Sequence, residues 1–120
     1  MAVNYATVTW DHLHRDARLL AEALVPTMPF TGVVAVTRGG LIPAAIIARE
    51  LNCRLVETIS VVTYDEEERG KPTIIKSPDA AGDGEGFLVI DDLVDSGVTA
   101  RVVRERLPKA YFACLYAKPA

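Results

Sequence analysis

Cysteine is scarce in this chain. Cys53 and Cys114 are the only two, each in or beside an apolar segment, so neither a disulfide framework nor a thiolate metal cluster is on offer. They read as buried thiols in a reducing cytoplasm. Basic residues are outnumbered, 13 Lys and Arg against 16 Asp and Glu for a net charge of -3, which leaves no electropositive footprint for nucleic acid. No apolar run approaches the roughly 18 residues a membrane span requires. Met1 to Thr9 also lacks the charged start and long apolar middle of a signal peptide, so a soluble, cytoplasmic protein is expected. His12 and His14 stand two apart on a helical segment, on different faces, and cannot share a metal.

What is present is an ordinary globular composition, 50% hydrophobic and 24% charged over 120 residues, enough for one domain spanning 1–120. Val3 to Thr9 is a β-prone stretch, and Thr9 stands where a helix N-cap belongs. Trp10, Leu13, Ala17, Leu20 and Leu24 then recur at helical spacing as one apolar stripe that Pro26 ends, with Trp10 expected in the core. Gly32 to Val36 reads as a strand buried on both faces, Thr37-Arg38-Gly39-Gly40 as a polar loop, and Leu41 to Leu51 as a helix stopped at Asn52. Arg54 to Val62 is a third strand. Thr63 to Glu85 does not settle into one element, although Thr73-Ile74-Ile75 could form a hairpin arm.

The chemistry gathers in Phe87-Leu88-Val89-Ile90-Asp91-Asp92-Leu93-Val94-Asp95-Ser96-Gly97-Val98-Thr99-Ala100. A buried strand is expected to end at the two carboxylates and to lead through a small-residue turn into a helix that Pro108 terminates, with Arg101, Arg104 and Arg106 solvated. Tyr111 to Ala117 is the last strand. The pattern implies an α/β fold, a mostly parallel sheet flanked by helices, with ligands at the carboxyl edge of the strands. Asp95, Ser96, Gly97, Val98 and Thr99 offer backbone N–H groups and hydroxyls at a helix N-terminus, a cradle for a phosphate. Asp91 and Asp92 repel phosphate but suit a vicinal diol or a hydrated divalent cation. Together they describe a ribose 5-phosphate. Arg38, with the backbone of Gly39 and Gly40, equips the earlier loop for a second anion.

A hydrophobic run, Asp-Asp, two apolar residues, Asp, Ser, Gly, any residue, Thr resembles the signature of the type I phosphoribosyltransferases. Thr9-Trp10-Asp11, Arg38-Gly39-Gly40-Leu41, Ala48-Arg49-Glu50-Leu51, Gly82-Asp83-Gly84-Glu85-Gly86-Phe87 and Ala117-Lys118-Pro119-Ala120 extend the likeness to the bacterial xanthine-guanine branch over nearly the whole chain. The resemblance implies transfer of ribose 5-phosphate from phosphoribosyl pyrophosphate to guanine, xanthine or hypoxanthine, with Mg²⁺ and in an oligomer. It implies that Asp91 and Asp92 hold the ribose hydroxyls, directly or through Mg²⁺, and that Asp95 is the general acid or base near N7 of the purine. Residues Ser96 to Thr99 would take the 5-phosphate, Arg38 and Gly39 the pyrophosphate, and Lys118 the oxygen at C6. It further implies a mobile lid around Asp65-Glu66-Glu67-Glu68, with Tyr64 and Arg69 as contacts, and a cis peptide between Arg38 and Gly39.

Two departures stand out. Val98 occupies a position where the family often has glycine, and the family's C-terminal segment, which stacks an aromatic on the base, has no counterpart before Ala120. Either the chain is a shortened form of a longer protein, or it is a compact relative whose base pocket is open or completed by another subunit. A non-catalytic domain that binds phosphoribosyl pyrophosphate or regulates in response to it, or an incomplete enzyme of low activity, is the alternative reading.

Overall fold

Thr9 caps the first helix, α1 (Trp10–Leu24), by accepting the His12 amide through Oγ1 at 3.1 Å, a contact of about 1 kcal/mol. In the computed structural model, which describes residues 9–27, 29–64, 71–94 and 97–117, the stretch Val3 to Val8 lies outside the described residues. A 3₁₀ turn, Val25–Thr27, follows α1, then β1 (Gly32–Val36), α2 (Leu41–Glu50), β2 (Val56–Tyr64) and β3 (Lys71–Lys76). A second 3₁₀ turn, Asp79–Ala81, leads to β4 (Phe87–Val94), α3 (Val98–Arg106) and β5 (Tyr111–Ala117). The five strands lie in the order β3-β2-β1-β4-β5, with β2 and β3 antiparallel and the other neighbours parallel. This is the mostly parallel α/β sheet expected. Among the described residues, no helix is long and apolar enough to cross a membrane.

Alternation along the strands divides the core in two. Val33, Ala35, Leu88 and Ile90 pack with Ala17, Ala21 and Leu24 of α1 and with Ala44, Ile47 and Ala48 of α2. Val34, Val36, Phe87 and Val89 face the other way, toward Ile59, Val103 and Leu107. The strands of the middle are thus apolar throughout because both faces are covered. Leu88 and Ile90 are fully buried, so truncating either to alanine costs on the order of 2–5 kcal/mol.

Trp10 departs from the expected stripe. It is 72% exposed, because it opens the first turn and the buried face begins further along, at Ala17. At the other end of the next helix the expectation holds in detail. Asn52 takes a left-handed φ of 54°, its amide bonding Arg49 O at 3.1 Å and the Cys53 amide Ala48 O at 2.7 Å, a Schellman stop.

Three further expectations are corrected. The segment 63–85 is largely built: β3 covers Lys71–Lys76, longer than the short arm read from Thr73 to Ile75, and Glu57 fastens the connector after it. Glu57 Oε1 accepts Lys76 Nζ at 2.8 Å and Oε2 the Ala80 amide at 2.9 Å. Both contacts hold its carboxyl below the usual range, the lysine foremost. Arg106 is not solvated but spans that connector, donating from Nε to Ser77 Oγ at 3.0 Å and from Nη1 to the Gly82 carbonyl. Finally, β4 does not stop at its carboxylates. Pairing with β5 carries it on through Leu93, opposite Tyr116, to Val94, opposite Ala117, as two more apolar residues in a ladder allow.

Candidate functional site

The loop between β1 and α2 is held from three sides. The Thr37 amide donates to Ile59 O at 3.0 Å, the Gly40 amide to Val36 O at 2.8 Å, and the Leu41 amide to Arg38 O at 3.1 Å. Thr37 Oγ1 and Ser60 Oγ lie 2.6 Å apart, a hydroxyl pair tying the loop to β2. Sequence reasoning missed Ser60, because only the β1–β2 register brings it alongside Thr37. The cis peptide expected between Arg38 and Gly39 sits one bond earlier, between Thr37 and Arg38, inside the turn that the Gly40–Val36 bond closes. Arg38 and Gly39 are exposed, whereas Gly40 is buried.

Close approach explains both glycines. A Cβ on Gly40 would come within 2.5 Å of Ile90 O and 2.7 Å of Val36 O, so the loop lies directly across the ends of β1 and β4. A Cβ on Gly39 would collide with the carboxylate of Asp92. The cation-bearing loop and the acidic pair, 53 positions apart (39 to 92), are thereby brought together at the carboxyl edge of the parallel strands.

Asp91 and Asp92 do not share a side. Asp92 is turned toward the loop that precedes α2, and Asp91 lines a cavity of about 100 Å³ on the α3 face with Val89, Ala100, Val103, Phe112 and Cys114. The Asp92 amide donates to Asp91 Oδ1 at 2.8 Å. Both carboxylates are half-buried. Direct coordination of one ion by the two together does not fit this alternation. A hydrated Mg²⁺, which takes one or two carboxylates and substrate oxygens while keeping several waters, does fit Asp92 beside the loop. Among the described residues no cluster of three or more acidic, His or Cys side chains forms a metal site.

Beyond β4 the described residues resume at Gly97, whose φ of 84° is left-handed and whose carbonyl accepts the Arg101 amide at 2.9 Å to open α3. Val98 and Thr99 follow in its first turn, both half-buried. Asp95, Ser96, Arg69 and Lys118 lie outside the described residues, as does the acidic lid segment 65–68. Tyr64 closes β2 opposite Lys71, at the mouth of the hairpin from which that segment springs.

Neither cysteine is fully buried. Both are free and half-exposed, and burial pushes each thiol up, Cys114 further through the Asp91 carboxylate. Cys114 stands opposite Asp91 in the β4–β5 register.

Comparison with known proteins agrees with this geometry. The profile of the phosphoribosyl transferase domain matches residues 10–120. The xanthine-guanine phosphoribosyltransferase of Gluconobacter oxydans (strain 621H) is 68% identical over 120 residues, covering 98% of this chain and 71% of that protein. That of Chromohalobacter salexigens is 56% identical over 113 residues, 94% of this chain and 68% of the relative. Among solved structures, the purine phosphoribosyltransferase of Pyrococcus horikoshii superposes with a TM-score of 0.81 at 33% identity, over 92% of this chain and 76% of that one.

Proposed function

The chain belongs to the phosphoribosyltransferase family, and from that premise we propose that it transfers the 5-phosphoribosyl group of phosphoribosyl pyrophosphate to a purine base and releases pyrophosphate. The observation that carries the reading is the contact of Gly39 with Asp92, which sets a loop suited to an anion against a carboxylate suited to a sugar hydroxyl or a hydrated cation. Guanine and xanthine are the bases we assign on the names of the relatives, and hypoxanthine on the family resemblance of the sequence.

In the reaction the bond from C1 of the ribose to the pyrophosphate oxygen breaks and a bond from C1 to the purine nitrogen forms. Positive charge grows on the sugar and negative charge on the leaving group, as in other oxocarbenium-like displacements. Arg38 and the backbone of Gly39 bind the departing pyrophosphate. Asp91 and Asp92 orient the ribose hydroxyls, Asp92 being the one that would also hold Mg²⁺ through its waters. Bound there, Mg²⁺ supplies neutralising charge for the pyrophosphate. Ser96 to Thr99 receive the 5-phosphate at the start of α3. Asp95 accepts the proton that the attacking purine loses, and Lys118 donates to the oxygen at C6. Tyr64 and Arg69 would be the contacts of a lid that closes over the site and keeps water from the reactive sugar.

The substrates are cytoplasmic metabolites, and we assign the chain to that compartment. Leu41 and Ile42, apolar and exposed at the start of α2, support self-association. The test is the ultraviolet absorbance change as each purine becomes its nucleotide, with phosphoribosyl pyrophosphate and Mg²⁺ present. Conversion that falls at least 100-fold in Asp95→Ala, with phosphoribosyl pyrophosphate binding intact, is the expected outcome, on the order of a general acid–base contribution. No conversion of any purine would refute the reading and leave a sugar-phosphate binding domain.

A further inference from the structure

Helix α3 is packed unevenly. Val103 and, just past its last turn, Leu107 are buried, whereas Val98, Thr99 and Ala100 at its start are half-buried. Beneath the shallow half lies the cavity of about 100 Å³ that Asp91 lines, walled by Val89, Ala100, Val103 and Phe112. Protein interiors rarely keep a void larger than a water molecule. One with apolar walls stays dry, and such a void of about 150 Å³ takes up benzene. The cavity under α3 has room for a single ring, and its lining residue Arg104 is exposed, so solvent reaches it from that side.

The polar groups of the lining decide what can enter. Asp91 stands opposite Cys114 in the β4–β5 register. Burial, then the Asp91 carboxylate, push the Cys114 thiol up, which puts the two groups together in the cavity wall. Asp91 Oδ1 accepts the Asp92 amide at 2.8 Å, yet a carboxylate offers about four acceptor sites and can take a further donor. Arg104 brings the opposite charge, its guanidinium carbon lying 4.3 Å from the centroid of the Phe112 ring. With one charge of each sign in so small a space, a cationic ligand is repelled by Arg104 and an anionic one by Asp91. A neutral ring with a hydrogen-bond donor meets neither objection, since the walls take the ring and the carboxylate takes the hydrogen.

We propose that the cavity between α3 and the β4–β5 pair is a ligand site for a small neutral aromatic molecule with one O–H or N–H donor, which it gives to Asp91. The site rests on these contacts alone and is independent of the transferase reading above.

The probes that test it are phenol and toluene, which match in shape and differ in the donor. Binding is read from methyl shifts in proton–carbon correlation spectra of the full chain, for the wild type, for Ala100→Leu, which fills the void, and for Asp91→Asn. Phenol is expected to bind the wild type with a Kd on the order of 1 mM, ordinary for about seven non-hydrogen atoms. Toluene should bind about ten-fold more weakly, the difference made by one charge-assisted hydrogen bond. Shifts should centre on Val89, Ala100 and Val103. Ala100→Leu should weaken both probes at least about ten-fold, with circular dichroism as the control for folding. In Asp91→Asn the ratio between the probes should narrow, because a neutral acceptor is the weaker one.

A second measurement needs no variant. Saturating phenol should slow alkylation of Cys114 by iodoacetamide, located by mass spectrometry, while Cys53, which packs on the other face of the sheet, reacts as before. Toluene binding as tightly as phenol, shifts centred elsewhere, undiminished binding in a folded Ala100→Leu variant, or a Cys114 that phenol leaves unprotected would overturn the proposal.

Discussion

Gly39 and Asp92 touch so closely that the first carbon of any side chain at 39 would occupy the space of the carboxylate. Gly39→Ala is therefore expected to push Asp92 out of place rather than to unfold the chain, since residue 39 is exposed. A misplacement of this kind costs on the order of 100-fold in kcat/KM. Kinetics at saturating and limiting Mg²⁺, with circular dichroism as the control for folding, read the effect. An alanine variant with wild-type kcat/KM would show that Asp92 has no part in the reaction.

Gly40→Ala should behave differently. Its added carbon meets two backbone carbonyls, Ile90 O and Val36 O, neither of which can rotate away. The expected result is a loss of stability of about 2 kcal/mol, read as a lowered urea midpoint with an unchanged slope.

Ser60 offers a milder perturbation of the same loop. Its hydroxyl meets Thr37 Oγ1 at 2.6 Å, so Ser60→Ala frees one tether while the Thr37 amide keeps its bond to Ile59 O. KM for phosphoribosyl pyrophosphate should rise about three- to ten-fold, the equivalent of one hydrogen bond, with KM for the base unchanged.

Acid should weaken the connector that Glu57 holds. Its folded-state pKa is depressed, chiefly by Lys76. The stability it adds is complete above the ordinary glutamate value of about 4.3 and is lost as pH falls through the lower folded value. Urea titrations from pH 6 down should show a decline in this window that Glu57→Gln flattens. An identical pH profile in the glutamine variant would remove Glu57 from the account.

Much of this architecture was legible in the chain. The continuous apolar runs at Gly32–Val36 and Phe87–Ile90 betray strands covered on both faces, and Asn52 and Thr9 mark helix ends because their side chains or backbone suit the caps. The loop at Arg38 and the acid pair could both be found as chemistry. Their contact could not, because it depends on how the ends of β1 and β4 line up. Ser60, Arg106 and the Asp16–Tyr116 bond were invisible for the same reason: each is a polar side chain whose partner is set by register or helix placement. Trp10 misled because periodicity locates a face, not the turn at which it first meets the core.

Self-association through α2 would bring its own signature. Leu41 and Ile42 are 42% and 46% exposed, enough to contribute apolar area to a partner surface. Ile42→Glu is expected to shift sedimentation velocity toward the monomer. A monomeric wild type would dispose of the idea directly.

The opposite orientations of Asp91 and Asp92 turn the length of β4 into a matter of odd and even. Exchange of one aliphatic residue for another between Phe87 and Ile90 leaves each carboxylate on its own side, and the core can adapt by repacking. Adding or deleting a single residue there would transpose the two carboxylates, sending the one beside Gly39 into the cavity under α3. Evolution can therefore drift freely in the spelling of this strand, while a one-codon insertion or deletion would rewire the site in a single step.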